Sequence, residues 1–202
     1  MDTEQQPPTA AGHAPAAKAS TRDRLLDTAS ALFYRQGVNT GIDTLCKAAG
    51  VSKRSMYQLF EGKDDMLAAA LERSAAGYQA LVLPPPDGPG APRARLLHVF
   101  GQLEKAALSP DYRGCPFLAT QVELKDPAHP ASVVAARGKQ VLTDFFREQA
   151  ARGGAADPGL LARQLTLVFD GASARAGIGA DSLGGLAVTT AAALIDAAGV
   201  EG

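Results

Sequence analysis

The chain has 202 residues, 46% of them apolar and 20% charged, which suffices for one good core or for a small module joined to a larger domain. No run of eighteen apolar residues occurs and no basic segment followed by an apolar one opens the chain, so a membrane span and a secretory leader are not expected and the protein is read as soluble and cytoplasmic. The net charge of -1 is unevenly spread: residues 1–17 carry two acids and no base, residues 18–63 carry eight Lys/Arg against four Asp/Glu, and the remainder carries twelve against fifteen. A basic module on an acidic body is the footprint of a protein that meets phosphate with its first part only.

Residues 1–19 are rich in Ala, Pro, Thr and Gln with almost no large apolar side chain, and are expected to form a disordered tail. From Thr21 the pattern changes. Leu25, Leu26, Ala29, Leu32 and Phe33 recur at helical spacing, with Ser20 or Thr21 as N-cap and Gly37 as the stop. A short second helix lies between Thr40 or Gly41 and Gly50, with Ile42, Leu45, Ala48 and Ala49 as its apolar face. A third starts almost at once from Ser52, turning Met56, Leu59 and Phe60 inward and Lys53, Arg54, Tyr57 and Gln58 outward. The turn between the two is only Ala49-Gly50-Val51-Ser52, and a glycine there suits two helices that cross steeply.

A long helix follows from Asp64 to about Val82, with acids in its first turn, and is stopped by the proline-rich run from Pro84 to Gly90. Further helices are expected over approximately 92–108, 115–125, 131–152, 158–177 and 183–198, and no stretch alternates as a strand. In the penultimate helix Leu160, Leu161, Leu165, Val168, Phe169 and Ala172 form one stripe. In the last, Leu183, Leu186, Ala187, Thr190, Ala191, Leu194, Ile195 and Ala198 form another. Two such alanine-rich helices either pair with a second copy in a four-helix contact or close the chain's own core, and pattern alone leaves both open.

The segment Leu45-Cys46-Lys47-Ala48-Ala49-Gly50-Val51-Ser52-Lys53, with Tyr57, Phe60 and Lys63-Asp64, resembles the TetR family of bacterial transcriptional repressors. The resemblance spans Thr21 to Leu67; beyond it only the all-helical layout and length agree. It implies an all-α protein in which a three-helix, helix-turn-helix DNA-binding domain over residues 20–66 precedes a regulatory, ligand-binding and dimerising domain over residues 67–202. No catalysis, no cofactor and no metal are expected. The expected partners are double-stranded operator DNA, a second copy held through the last two helices, and a small-molecule inducer.

The resemblance puts the third helix in the major groove, Tyr57 and Lys63 on phosphate, and Thr40 near phosphate before the second helix. Ser52 offers a hydroxyl and backbone N–H groups to a phosphate oxygen, and Lys53 and Arg54 occupy the turn that reaches base edges. Gly41 stands where Ser or Thr is usual, Arg54 where a small residue is common, and Leu59 where a polar or aromatic one is frequent. Arg54 either pairs with guanine or clamps phosphate without sequence preference. With Gln58 on the same face, the expected DNA-binding set is Thr40, Gly41, Ser52, Lys53, Arg54, Tyr57, Gln58 and Lys63.

For the inducer, the resemblance points to the central helices, where His98, Gln102, Cys115, Phe117, Gln121 and Phe145 offer a mixed lining; ordinary core positions are the alternative reading of each. Cys115, at a helix start, is either an electrophile-sensitive thiolate or a buried inert thiol, and Cys46 reads as core. The expected dimer contacts are Leu161, Leu165, Val168, Phe169, Leu186, Thr190 and Leu194. Neither cysteine belongs to a C-x-x-C pair, and His13, His98 and His129 are widely separated, so neither a disulfide framework nor a metal site is expected. Gly138-Lys139 lacks the remainder of a phosphate loop and Gly177-Ile178-Gly179 follows no strand, so enzyme motifs are absent. A DNA-binding regulator that activates, or that needs no ligand, is the standing alternative.

Overall fold

The computed structural model describes residues 20–180 and 182–201, so the expectation of a disordered tail lies outside the described residues. Those residues form helices only: α1 (Thr21–Gln36), α2 (Ile42–Ala49), α3 (Lys53–Leu59), α4 (Lys63–Val82), α5 (Pro92–Ala107), α6 (Pro116–Leu124), α7 (Pro130–Arg152), α8 (Pro158–Gly177) and α9 (Leu186–Ala197). No helix among them is long and apolar enough to cross a membrane.

Local chemistry sets the boundaries. Ser20 Oγ accepts the Asp23 N–H at 3.0 Å and opens α1. Gly50 ends α2 in the left-handed region at φ 63°, the conformation that a steep turn into α3 requires and that glycine adopts without a Cβ clash. Ser52 Oγ then accepts the Ser55 N–H at 3.1 Å to open α3. Each of α5, α6, α7 and α8 begins on a proline, whose fixed φ suits a first helical position and whose missing N–H would have no partner there.

Packing divides the helices into two cores that meet on α4. Leu25, Leu26, Phe33, Leu45 and Met56 of α1 to α3 bury against Met66, Leu67 and Ala70 of α4 and Ala131 of α7. The larger core runs from Leu71 through α5 to α9. The domain boundary expected between residues 66 and 67 therefore falls inside one continuous helix, which makes α4 the mechanical link between the two parts. At the centre of the larger core Phe100 stacks on Phe146 at 5.7 Å and meets Phe169 edge-on at 6.4 Å. An ion pair between Lys139 and Asp170, largely sheltered from solvent, joins α7 to α8.

The penultimate stripe resolves in favour of the chain's own core. Leu161, Leu165 and Phe169 are at most 1% exposed, which corrects the expectation that these three face a second copy, while Val168 is half-buried beside them. Their neighbours point out instead: Leu160, Leu167 and Ile178 are 50%, 74% and 80% exposed. On α9, Leu186 and Thr190 are exposed, whereas Leu194 packs against the core.

The start of α9 has no capping side chain of its own, because Gly185 occupies the N-cap. Glu104 of α5 supplies the acceptor: the N–H groups of Gly185, Ala187 and Val188 donate to its carboxylate at 2.9, 2.9 and 3.1 Å. Replacing Glu104 with alanine leaves these donors without that partner, at a cost of about 1–3 kcal/mol. The melting temperature is expected to fall by roughly 3–10 °C in calorimetry, with Glu104→Gln recovering part of the loss. An unchanged transition would contradict the capping role.

Candidate nucleic-acid interface

The candidate interface is built on α3. Met56 and Phe60 are buried at 0% and 3% exposure and fix its inner side. The guanidinium of Arg22 lies over the Phe60 ring at 5.3 Å and covers that anchor from α1. With the inner side fixed, Lys53, Arg54, Tyr57 and Gln58 all stand exposed, Tyr57 by 55%. A short rigid helix that presents two cations, a phenol and an amide has the chemistry to contact both phosphate oxygens and base edges.

The structure places the other expected contacts less uniformly. Ser52 is exposed, but its hydroxyl already accepts from the Ser55 backbone and lies 2.9 Å from the Ser55 hydroxyl. Gly41 is exposed at the N-cap of α2, with nothing within 4 Å of where a Cβ would stand, so its backbone is open to a close approach. Lys63 is half-buried at the first position of α4. Thr40 has a structural role. Its side chain is turned inward at 8% exposure and its hydroxyl donates to the Gly37 carbonyl at 2.9 Å, so it holds the α1–α2 turn. Leu59, expected to pack inward, is 38% exposed, at the edge of the outer face.

Lys53 Nζ lies 2.5 Å from Asp43 Oδ1 of α2, and this carboxylate pushes the Lys53 pKa up. Both side chains are exposed, so the pair adds little to stability. Its consequence is for binding, since Asp43 places a negative charge beside the face that would meet phosphate. Asp43→Asn is expected to tighten binding to duplex DNA about fivefold at low salt, an effect on the order of 1 kcal/mol, with less gain at high salt. Fluorescence anisotropy at two salt concentrations measures this, and weaker binding by the variant would mean that Asp43 positions Lys53.

Of the six residues expected around an inducer, Cys115 and Phe117 line one pocket with Tyr78 and Lys139, and His98, Gln102, Gln121 and Phe145 do not join them. Cys115 is buried at the N-cap of α6, and Phe117 is buried with its ring edge-on to Tyr78 at 5.4 Å. Gln121 sits half-buried near the end of α6, where its carbonyl accepts the Lys125 N–H. His98 and Gln102 lie half-buried along α5, and Phe145 lies half-buried on α7 with the Arg95 guanidinium over its ring at 5.7 Å. Cys46 is core as expected, and burial pushes its thiol pKa up.

What sequence reasoning missed is the junction between the two cores. The Tyr34 hydroxyl of α1 accepts the Arg113 N–H at 2.9 Å and donates to the Gly114 carbonyl at 3.2 Å. The Val38 N–H, just beyond α1, donates to the Glu123 carboxylate of α6 at 2.8 Å. His129, before α7, lies 3.4 Å from Asp64 in the first turn of α4. Helices α1 to α3 are thus fastened to the helices of the larger core through α1 and the start of α4. No periodicity announces these contacts, because each joins residues far apart in sequence.

Comparison with known proteins agrees with this architecture. The family model of bacterial regulatory proteins of the tetR family matches residues 25–70, from α1 into α4. A TetR transcriptional regulator of Streptomyces avermitilis MA-4680 (sav143) is similar at 60% identity and a TM-score of 0.88, over 91% of this chain and 100% of that one. SCO4454, a TetR-family transcriptional regulator from Streptomyces coelicolor, is 31% identical with a TM-score of 0.76, over 88% and 93% of the two chains. The HTH-type transcriptional regulator YjdC of Escherichia coli is 25% identical over 159 residues, 76% of this chain and 82% of that protein.

Proposed function

We propose, because this chain belongs to the TetR family of bacterial transcriptional regulators, that it is a homodimeric repressor released from its operator by a small molecule. The observation that carries the DNA contact is the exposed row Lys53, Arg54, Tyr57 and Gln58, held on a helix whose inner side is anchored by Met56 and Phe60. In this reading Arg54 reads guanine, Tyr57 and Lys63 hold phosphate, and Gly41 lets the duplex approach the start of α2 closely.

One such helix covers a single half-site, and two copies reading half-sites about 34–36 Å apart supply the affinity of a specific complex. The outward Leu160 and Leu167 of α8 and the exposed Leu186 and Thr190 of α9 support a symmetric contact between copies. Large apolar side chains at this spacing on one helix have no occupant in the single chain and gain by burial against their own kind.

Repression is tested by transcription in vitro from the promoter beside the gene. Increasing protein is expected to reduce transcript, and Arg54→Ala is expected to need at least tenfold more protein for the same effect. More transcript with added protein would overturn the repressor reading in favour of an activator.

A further inference from the structure

A cleft of about 950 Å³ opens at the junction of the two cores, walled by α1, α4, the loop leading into α6, α6 itself and the end of α8. Its size is in the range that encloses a drug-sized ligand, and junctions between domains are favoured places for such sites. Three of the four tyrosines in the chain, Tyr34, Tyr78 and Tyr112, converge on it from three different elements. We propose that this cleft is the effector site, that its ligand is an uncharged, largely apolar molecule carrying an aromatic ring, and that α1 reads the ligand directly. The proposal rests on the reading that a small molecule switches the protein.

The chemistry of the walls sets the ligand class. Leu81, Val122 and Ile178 line the cleft while 53%, 58% and 80% exposed, so apolar surface stands in solvent at its edge. The charged side chains of the wall already hold hydrogen-bond or ion-pair partners within the protein. Asp27 accepts from Arg73 at 2.7 Å, Glu123 accepts the Val38 N–H, Arg113 donates to the carbonyls of Pro110 and Tyr112 at 2.9 Å, and Arg35 faces Asp111 at 3.8 Å. A charged ligand would lose its hydration on a wall that is mostly apolar and whose charged side chains already hold partners.

Two of the three tyrosine hydroxyls are engaged as well. Tyr112 lies 3.0 Å from the Ser173 hydroxyl, and Tyr34 is bonded to the backbone of residues 113 and 114. Burial pushes the pKa of Tyr34, Tyr78 and Tyr112 up, so all three present neutral rings rather than phenolates. Neutral rings, two of them with occupied hydroxyls, favour stacked and edge-on contact with another ring.

The location supplies the readout. A molecule seated between α1 and α6 bears on the two fastenings that hold them together, Tyr34 to residues 113 and 114 and Val38 to Glu123. Because α1 shares its core with α2 and α3, displacing it carries the recognition helix along. A ligand that binds the displaced arrangement more tightly shifts the protein away from DNA.

Gly77 of α4 lines the cleft, and a Cβ built there meets nothing within 4 Å, so leucine at this position occupies open space and improves helix propensity. The probe is the uncharged fluorophore N-phenylnaphthylamine, compared with its sulfonated, anionic analogue of the same skeleton. Wild-type protein is expected to bind the uncharged probe saturably at one per chain and the anionic analogue at least tenfold more weakly. Gly77→Leu, and separately Val122→Arg at an exposed site, are expected to weaken the uncharged probe at least tenfold without lowering the melting temperature.

The probe should also weaken operator binding by the wild type and leave Gly77→Leu unaffected. Uptake unchanged in both variants, or equal binding of the anionic analogue, would overturn the site or the ligand class. Binding at the cleft with no change in operator affinity would overturn the readout through α1. Should the repressor reading itself fail for want of an operator, probe fluorescence alone still decides whether the cleft is the site.

Discussion

Leu167→Glu is expected to give a folded monomer whose affinity for the operator is lower by more than about 100-fold, because linking two half-site readers raises the effective concentration of the second into the millimolar range. Leu167 is 74% exposed in the middle of α8, so the single chain loses almost no packing when it is replaced. At a two-fold contact the same change brings two carboxylates together and desolvates both, which costs several kcal/mol. Each recognition helix keeps its own contacts but loses the partner that makes dissociation slow. Sedimentation equilibrium gives the mass, and anisotropy on the same sample gives the affinity. A variant that remains dimeric would show that the copies meet on another face.

Gly177→Ala is expected to destabilise the protein by about 1–3 kcal/mol and to weaken operator binding at the same time. The glycine ends α8, and a Cβ there would stand 2.6 Å from Arg113 C and Gly114 N and 2.7 Å from Arg113 O. These are backbone atoms, so no side chain can swing aside, and the loop before α6 must move. That loop carries both groups bonded by the Tyr34 hydroxyl, so its displacement loosens α1 from the regulatory helices. Gly101→Ala in α5 is the control, since a Cβ there meets nothing within 4 Å and alanine favours the helix. Equal melting temperatures for the two variants would contradict the close contact at Gly177.

The helices were legible in the sequence because their boundaries are set locally. Ser20, Ser52, Gly37 and Gly50 cap the first three, and the prolines at 92, 116, 130 and 158 open four of the rest. The outward face of α3 was legible for the same reason, since Met56 and Phe60 leave Lys53, Arg54, Tyr57 and Gln58 only one side.

Facing was harder wherever both sides of a helix are apolar. In α8, Leu160 stands beside Leu161 and Leu167 beside Val168, so periodicity could not say which of each pair is buried. Thr40 was not decided by the sequence because a hydroxyl before a helix suits a phosphate and a turn carbonyl equally, and only the fold supplies Gly37 as its acceptor. The junction was not legible at all. Tyr34, Tyr78 and Tyr112 come from α1, α4 and the loop before α6, and nothing in the spacing of one element predicts its meeting with another.

The central claim is that this chain binds one DNA sequence through two copies of α3. It is tested most directly by fluorescence anisotropy on duplexes tiling the DNA beside its own gene, against scrambled duplex, between about 50 and 200 mM salt. The account predicts one near-palindromic tile bound at least about a thousandfold more tightly than scrambled DNA, with affinity falling steeply as salt rises. Equal binding to every tile and to scrambled DNA would contradict it.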